Sequence, residues 1–184
     1  NRMKKIVIIY GLIAGTIVGG LMLATMPLWD TGALNFDNGH LVGYTTMVIA
    51  LSMIFFGIKS FRDNHAAGNI TFGKGVLIGV LITLIAGVMY ALAWEISYSQ
   101  MGDEFINKMT EHYFEEMKTD GATEAELMEA REDWVMYSEM YKNPVIRFAI
   151  TITEILPVGL VITLLSAALL RKKGFLPPTQ TTTT

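Results

Sequence analysis

The chain has 184 residues, of which 52% are hydrophobic and only 17% are charged, and its formal net charge is −3. Soluble domains carry about a quarter charged residues, so this composition is unusual for a soluble domain. The chain has no cysteine, which excludes disulfide and thiolate chemistry, and it contains no catalytic, metal-binding or nucleotide-binding motif.

The first apolar segment covers residues 6–26 and reads "IVIIYGLIAGTIVGGLMLATM". It is uncharged and long enough to cross the hydrocarbon of a bilayer, which takes ~20 helical residues. Lys4 and Lys5 precede it, as in a signal peptide. An ordinary signal-peptide core has roughly 7–15 residues, and no A-x-A cleavage site follows this segment. We therefore predict an uncleaved membrane helix.

Three further apolar segments cover about residues 41–58, 76–96 and 145–170. In lipid, backbone polar groups must bond within their own segment, so each span is expected to be a helix. The fold class predicted from the sequence is all-α, an integral membrane four-helix bundle. We predict one membrane domain over residues 3–173 and a disordered tail over residues 174–184.

The residues between the third and fourth spans, 97–144, form the longest polar stretch, with twelve acidic and four basic residues. Two amphipathic helical stripes are separated by "TDGAT", and Thr123 with Glu126 forms a T-x-x-E capping box at the second helix. This pattern predicts an acidic helical hairpin. Six of the twelve methionines lie between Met101 and Met140, and we interpret them as packing residues rather than Cu(I) ligands.

The basic residues indicate the orientation in the membrane. The connector after the second span contains Lys59, Arg62 and Lys74 but one acid, Asp63, and each terminus also carries three basic residues. Cytoplasmic loops are enriched in Lys and Arg, so both termini are expected in the cytoplasm and the acidic hairpin outside it. Binding of anionic lipid by the same basic residues is an alternative use of this connector.

Small residues recur at every fourth position in two spans. Close helix packing in lipid depends on such residues, and positions four apart share one face of a helix. The stripes serve either to pack the bundle or to form a homodimer face. Their members are Gly11, Gly15 and Gly19 in the first span and Gly75, Gly79, Thr83 and Gly87 in the third.

Two sets of polar residues lie in or beside the fourth span. Glu154 lies well inside it, three residues before Pro157. An intramembrane carboxyl is a candidate functional group, and a proline kink beside it resembles the construction of some transporter sites. A structural role, bonded to hydroxyls of neighbouring helices, is the alternative. Glu95 and Arg147 lie near the same membrane boundary, where we expect an ion pair.

Four blocks of sequence resemble a known family. They read "GIKSFRD", "GNITFGKG", "YALAWEISY" and "YKNPVIRFAITITEILPVGLVITLLSAALLRKK". Their order and spacing are similar to the bacterial membrane family called domain of unknown function 4199, found mostly in Bacteroidota, over residues 4–173. The resemblance implies four spans in a bacterial inner membrane and no established activity. It marks Lys59, Arg62, Asp63, Glu154 and Pro157 as family features.

These observations favour a non-catalytic accessory, scaffold or interaction subunit. The alternative is a small transporter or channel that uses Glu154 beside the Pro157 kink. We expect no enzyme activity, since His40, His65 and His112 fall in three different connectors. The expected partners are the lipid bilayer and either a second copy or another membrane protein, with no cofactor and no nucleic acid.

Overall fold

The computed structural model describes residues 2–177, which fold into seven α-helices without a strand in that range. The predicted all-α class is therefore confirmed. The helices are α1 (Arg2–Asp30), α2 (Phe36–Leu51), α3 (Met53–His65), α4 (Phe72–Met101), α5 (Asp103–Thr119), α6 (Glu124–Lys142) and α7 (Pro144–Leu170). Residues 178–184, most of the predicted tail, lie outside the described residues.

Four helical stretches are long and apolar enough to cross a membrane. They are α1, the pair α2–α3, α4 and α7, which agree with the four predicted spans. Each is longer than the sequence predicts, because the helices continue into the polar residues at their ends. Lys59, Arg62 and Asp63, expected in a connector, are thus part of α3.

The second span is divided at Ser52. The Ser52 hydroxyl donates to the Ile49 carbonyl at 2.6 Å, and the Phe55 amide donates to the Ser52 carbonyl at 3.0 Å. A backbone hydrogen bond between residues three apart, in place of four, tightens the helix locally. A serine hydroxyl that bonds to a backbone carbonyl favours a bend in the helix at that point. The second span is therefore two short helices in series, α2 and α3.

Helix α4 lies at the centre of the bundle, between α1 and α7. The α2–α3 pair packs against α1 and α7, and α3 also contacts α4. The interior is filled by aliphatic side chains with no exposed surface, among them Ile54, Ile58, Ile78 and Ile82. The bundle interior is therefore packed with aliphatic side chains.

The small-residue stripe of α4 packs against α7 in an antiparallel seam. Each step of four along α4 is matched by a step of four back along α7. The pairs are Gly75 with Ala167, Gly79 with Thr163, Thr83 with Gly159, and Gly87 with Ile155. A β-carbon added to Gly79 would lie 2.6 Å from the Thr163 hydroxyl oxygen. The stripe is therefore filled by side chains of the same chain.

The glycines of α1 pack against a different face of α4. A β-carbon added to Gly11 would lie 2.8 Å from Cβ of Ile85, and one added to Gly19 would lie 3.2 Å from Cβ of Ala93. Gly15, between them, faces Met89. Of the two uses predicted for the stripes, the structure shows packing within the bundle. A homodimer would need another surface.

Helices α5 and α6 contact each other beyond the spanning helices. The rings of Tyr113 and Trp134 are stacked with their centroids 4.7 Å apart, and the Trp134 indole donates to the Thr110 hydroxyl at 2.7 Å. The capping box of Thr123 and Glu126 is present at the start of α6. Hydrogen bonds from Thr123 lower the pKa of the Glu126 carboxyl. We call this end of the molecule the α5–α6 end.

Candidate functional site

Glu154 lies on the outward face of α7. Its neighbours Thr151 and Ile155 are buried, at 2% and 0% exposure, whereas Glu154 is exposed. It lies about ten residues into α7, or about 15 Å along the helix axis. The outward face there forms a shallow groove, which we call the α7 groove, lined by Val145, Ile146, Ala149, Ile150, Thr153 and Glu154.

Within the part of the chain that the structure describes, Glu154 has one hydrogen bond from another helix. The Tyr90 hydroxyl of α4 donates to its Oε2 atom at 3.4 Å, longer than the roughly 2.5–3.0 Å of a normal hydroxyl bond. A carboxylate can accept about four hydrogen bonds. Because the bond from Tyr90 is long, the carboxyl retains capacity to accept further donors on the side of the groove.

Three other titratable side chains interact electrostatically with Glu154. They are His40 of α2 and Tyr137 and Tyr141 of α6, each near enough for a Coulombic interaction. Burial and the charge of Glu154 both raise the pKa of Tyr137. Burial raises the pKa of Tyr141, and Glu154 adds to that rise. Side chains of α2, α4, α6 and α7 therefore converge near this carboxyl.

Pro157 lies one helical turn beyond Glu154. Helix α7 continues through it from Pro144 to Leu170. Proline has no amide hydrogen, so it leaves the Thr153 carbonyl without its normal helical donor. The Thr153 hydroxyl is used within the helix, since it donates to the Ala149 carbonyl at 2.9 Å. The backbone oxygen of Thr153 and the carboxyl of Glu154 are therefore two neighbouring acceptors on α7.

The structure brings Glu95 and Arg147 together. The guanidinium donates to both carboxylate oxygens, from Nε at 2.8 Å and from Nη2 at 2.5 Å. Its Nη1 atom donates to the Tyr141 carbonyl at 3.0 Å, and the group lies 3.7 Å from the ring centroid of Tyr98. This arrangement joins α4, α6 and α7, and the Arg147 side chain is engaged on several sides.

Arg62 lies at the opposite end of the bundle, which we call the Arg62 end. It is 1% exposed, and it donates to the Asp63 carboxylate at 2.6 Å and to the carbonyls of Phe175 at 2.8 Å and Leu176 at 2.5 Å. Lys59 contacts the other Asp63 oxygen at 2.5 Å. Arg62 thereby holds the chain that follows α7, so the ordered domain extends past its predicted end at residue 173.

Sequence reasoning missed two parts of these sites. Nothing in the sequence context of Tyr90 indicates a bond to Glu154, sixty-four positions away. The bonds from Arg62 to carbonyls beyond α7 were equally hidden, since backbone carbonyls have no sequence signature. Among residues 2–177, no three His, Asp or Glu side chains lie close enough to hold a metal ion.

The family described as "Protein of unknown function (DUF4199)" matches residues 9–172. The chain belongs to this family. The match includes the α7 groove, the Glu95–Arg147 pair and Arg62, so all three are part of the DUF4199 region. No curated protein and no solved structure matches the chain.

Proposed function

We propose that this protein is a non-catalytic accessory subunit that binds another membrane protein side by side, through the α7 groove. The observation that carries the proposal is the position of Glu154, on the outward face of a spanning helix with one long hydrogen bond. A charged side chain at the middle of a span costs about 2.5–3.5 kcal/mol on insertion scales. A partner that donates hydrogen bonds to Glu154 would offset part of that cost.

The shape of the α7 groove supports the same proposal. Ala149 and Thr153 are small, exposed and four residues apart, so the backbone of a second helix can approach α7 closely there. The Thr153 carbonyl, which Pro157 leaves without a helical donor, adds a second acceptor beside Glu154. Small residues and free acceptors together favour a partner helix that carries a hydrogen-bond donor.

The packing of the interior supports association more than transport through this chain. Glu154 lies outside the cluster of core side chains, and Ile78, Ile82 and Ile155 within that cluster have no exposed surface. A pathway along the bundle axis would have to separate these side chains. A site on the surface requires no such rearrangement.

The second candidate function, a small transporter or channel, is favoured by the groups around Glu154. His40, Tyr90 and Tyr137 come from three helices and are all titratable. In a transporter, these groups would have to pass a proton between the α5–α6 end and the carboxyl. Proton flux into liposomes containing the protein, measured with a pH-sensitive dye, would then be abolished by Glu154→Gln.

Cross-linking tests the association directly. The chain has no cysteine, so one introduced cysteine gives a unique attachment point. Thr153→Cys places it in the α7 groove, and Ile13→Cys, on an exposed part of α1, is the matched control. In membranes of the source cells, we expect one defined adduct with a membrane protein at position 153 and none at position 13.

Glu154 should control this adduct. Adding Glu154→Ala to Thr153→Cys removes the acceptor and is expected to lower the adduct yield several-fold, whereas Glu154→Gln retains a carbonyl acceptor and should lower it less. A protein that gives equal adducts at positions 13 and 153, or no adduct at either, would contradict the proposal.

A further inference from the structure

The α5–α6 end has an exposed apolar surface on the side of α6 that faces away from α5. We call it the α6 methionine face. Its apolar members are Met128, Val135, Met136 and Met140, with 65%, 62%, 62% and 45% of their surface exposed. The expectation that the methionines of this region pack internally is therefore wrong for Met128, Met136 and Met140, because the aromatic residues of α6 occupy the packed side instead.

The packed side of α6 lies opposite this face. Trp134 bonds to Thr110 of α5, and Tyr141 is buried and accepts a hydrogen bond from Trp94 of α4 at 2.7 Å. At 100° per residue, positions 134 and 141 lie roughly 100–160° around the helix from the four apolar members of the methionine face. The contacts that hold α6 in place therefore leave the methionine face uncovered.

Acidic residues are interleaved with the exposed methionines. Glu129, Glu132 and Glu139 lie on the same side of α6 and are exposed. Lys142 contacts Glu139 at 2.8 Å, and it lies at the end of the helix. In the stretch 97–144 as a whole, twelve acidic residues stand against four basic ones. The face therefore combines apolar side chains with a negative charge.

This charge decides what can cover the face. An anionic bilayer surface attracts basic segments, so it would repel this one. A second copy would present the same acidic face, and like charges across an interface are unfavourable. The same end of such a copy has four basic residues, Lys108, Lys118, Arg131 and Lys142, but its twelve acidic residues outnumber them. Lys59, Lys74 and Arg171 of the copy lie at the Arg62 end, a full span away. A different protein with both apolar and basic side chains fits the face.

We propose that the α6 methionine face docks a basic amphipathic segment of another protein, outside the membrane. The apolar members extend over about twelve residues of helix, or about 18 Å, which matches three to four turns of a partner helix. Methionine side chains adapt to the shape of what they contact, which suits a docking surface of this kind. This surface is separate from the α7 groove, and the inference does not depend on lateral association.

A peptide-binding measurement tests the inference. The full-length protein is placed in nanodiscs of zwitterionic lipid, and a fluorescent fourteen-residue helical peptide of leucine and lysine is titrated by anisotropy. Empty nanodiscs give the background. A leucine–glutamate peptide of the same length is the charge control. We expect saturable binding of the lysine peptide, weakened by salt, and no binding of the glutamate peptide above background.

Variants of the face separate its apolar and charged contributions. Met136→Ser with Met140→Ser removes apolar surface, and Glu132→Lys with Glu139→Lys reverses the charge. All four side chains are exposed, so the fold is expected to remain. Each pair should weaken binding about ten-fold, the effect of losing one strong interface contact.

The matched control reverses the same number of charges on α5. Glu111→Lys with Glu115→Lys changes exposed residues away from the methionine face and should change the dissociation constant less than about two-fold. Equal weakening by the α5 and α6 pairs, or wild-type binding after the methionine substitutions, would overturn the inference. Co-sedimentation of the protein-loaded nanodiscs with lipid vesicles in the absence of peptide, lost after the methionine substitutions, would assign the face to a bilayer instead. The adduct at position 153 should be unaffected by all these variants.

Discussion

The two faces of α7 differ in what they contact, although both carry small residues at every fourth position. On the inner face, Gly159 and Thr163 are matched by Thr83 and Gly79 of α4. On the outer face, Ala149 and Thr153 are exposed beside Glu154, in a groove that is lined by α7 residues. In lipid, apolar burial gives little drive for helix association. Shape complementarity therefore holds the inner face of α7 against α4. The outer face differs because it carries the acceptors of Glu154 and of the Thr153 carbonyl.

The largest effect is expected from Arg147, which points inward at 5% exposure. Replacing Arg147 with Met leaves the Glu95 carboxylate without its two guanidinium bonds. Breaking one side of a buried ion pair costs about 3–5 kcal/mol. Because the Glu95 side chain is 23% exposed, we expect the lower end of that range and a clear fall in the unfolding temperature in detergent. Lys118→Met, on the exposed surface of α5, is the control and should leave that temperature nearly unchanged.

Gly79→Val tests the seam itself. The added β-carbon would lie 2.6 Å from the Thr163 hydroxyl oxygen, so α4 and α7 must separate. Overpacking of this kind costs about 1–3 kcal/mol. Gly43→Val is the matched control on α2, because a β-carbon there has nothing within 4 Å. Equal thermal stability of the two variants would show that the seam does not hold the bundle together.

A gain in stability is expected from Thr163→Val. The Thr163 hydroxyl is fully buried in the seam and has no hydrogen-bond partner within residues 2–177. Replacing it with an apolar group of the same shape removes an unsatisfied acceptor and donor, a gain of about 1 kcal/mol. The comparison is Thr83→Val, which loses a bond to the Gly79 carbonyl at 2.9 Å. The unfolding temperatures of the two variants should shift in opposite directions.

The smallest effect on stability is expected on the outer face. Glu154→Gln keeps an oxygen that can accept from Tyr90, so we expect the free energy of unfolding to change by less than about 0.5 kcal/mol. If the outer face instead supported the bundle, this variant would unfold at a clearly lower temperature. A neutral result, together with altered cross-linking from position 153, would sharpen the contrast between the two faces.

Much of the fold could be predicted from the sequence, because a helix that crosses hydrocarbon must have a minimum length and few charged residues. The four spans follow from uncharged stretches, and the contact of Glu95 with Arg147 agrees with their shared position near one boundary. The family follows from the order of a few polar blocks, and its match covers residues 9–172.

The sequence does not show which side of a helix faces the rest of the bundle. Spacing by four occurs on both sides of α7, at Ala149 and Thr153 as well as at Gly159 and Thr163, so periodicity alone does not say which side meets α4. The same ambiguity affected α6. The methionines between Met101 and Met140 are predicted to pack, and only the position of α5 shows that Met136 is uncovered.

The buried guanidinium of Arg62 has a consequence for biogenesis. Its carbonyl acceptors on Leu170, Phe175 and Leu176 follow it by 108, 113 and 114 positions. While the second span is being inserted, those acceptors have not yet been synthesised, and Arg62 must remain hydrated at the bilayer surface. The helices can close around it only after α7 has entered the membrane, so a nascent chain stalled before Leu170 would stay open at the Arg62 end.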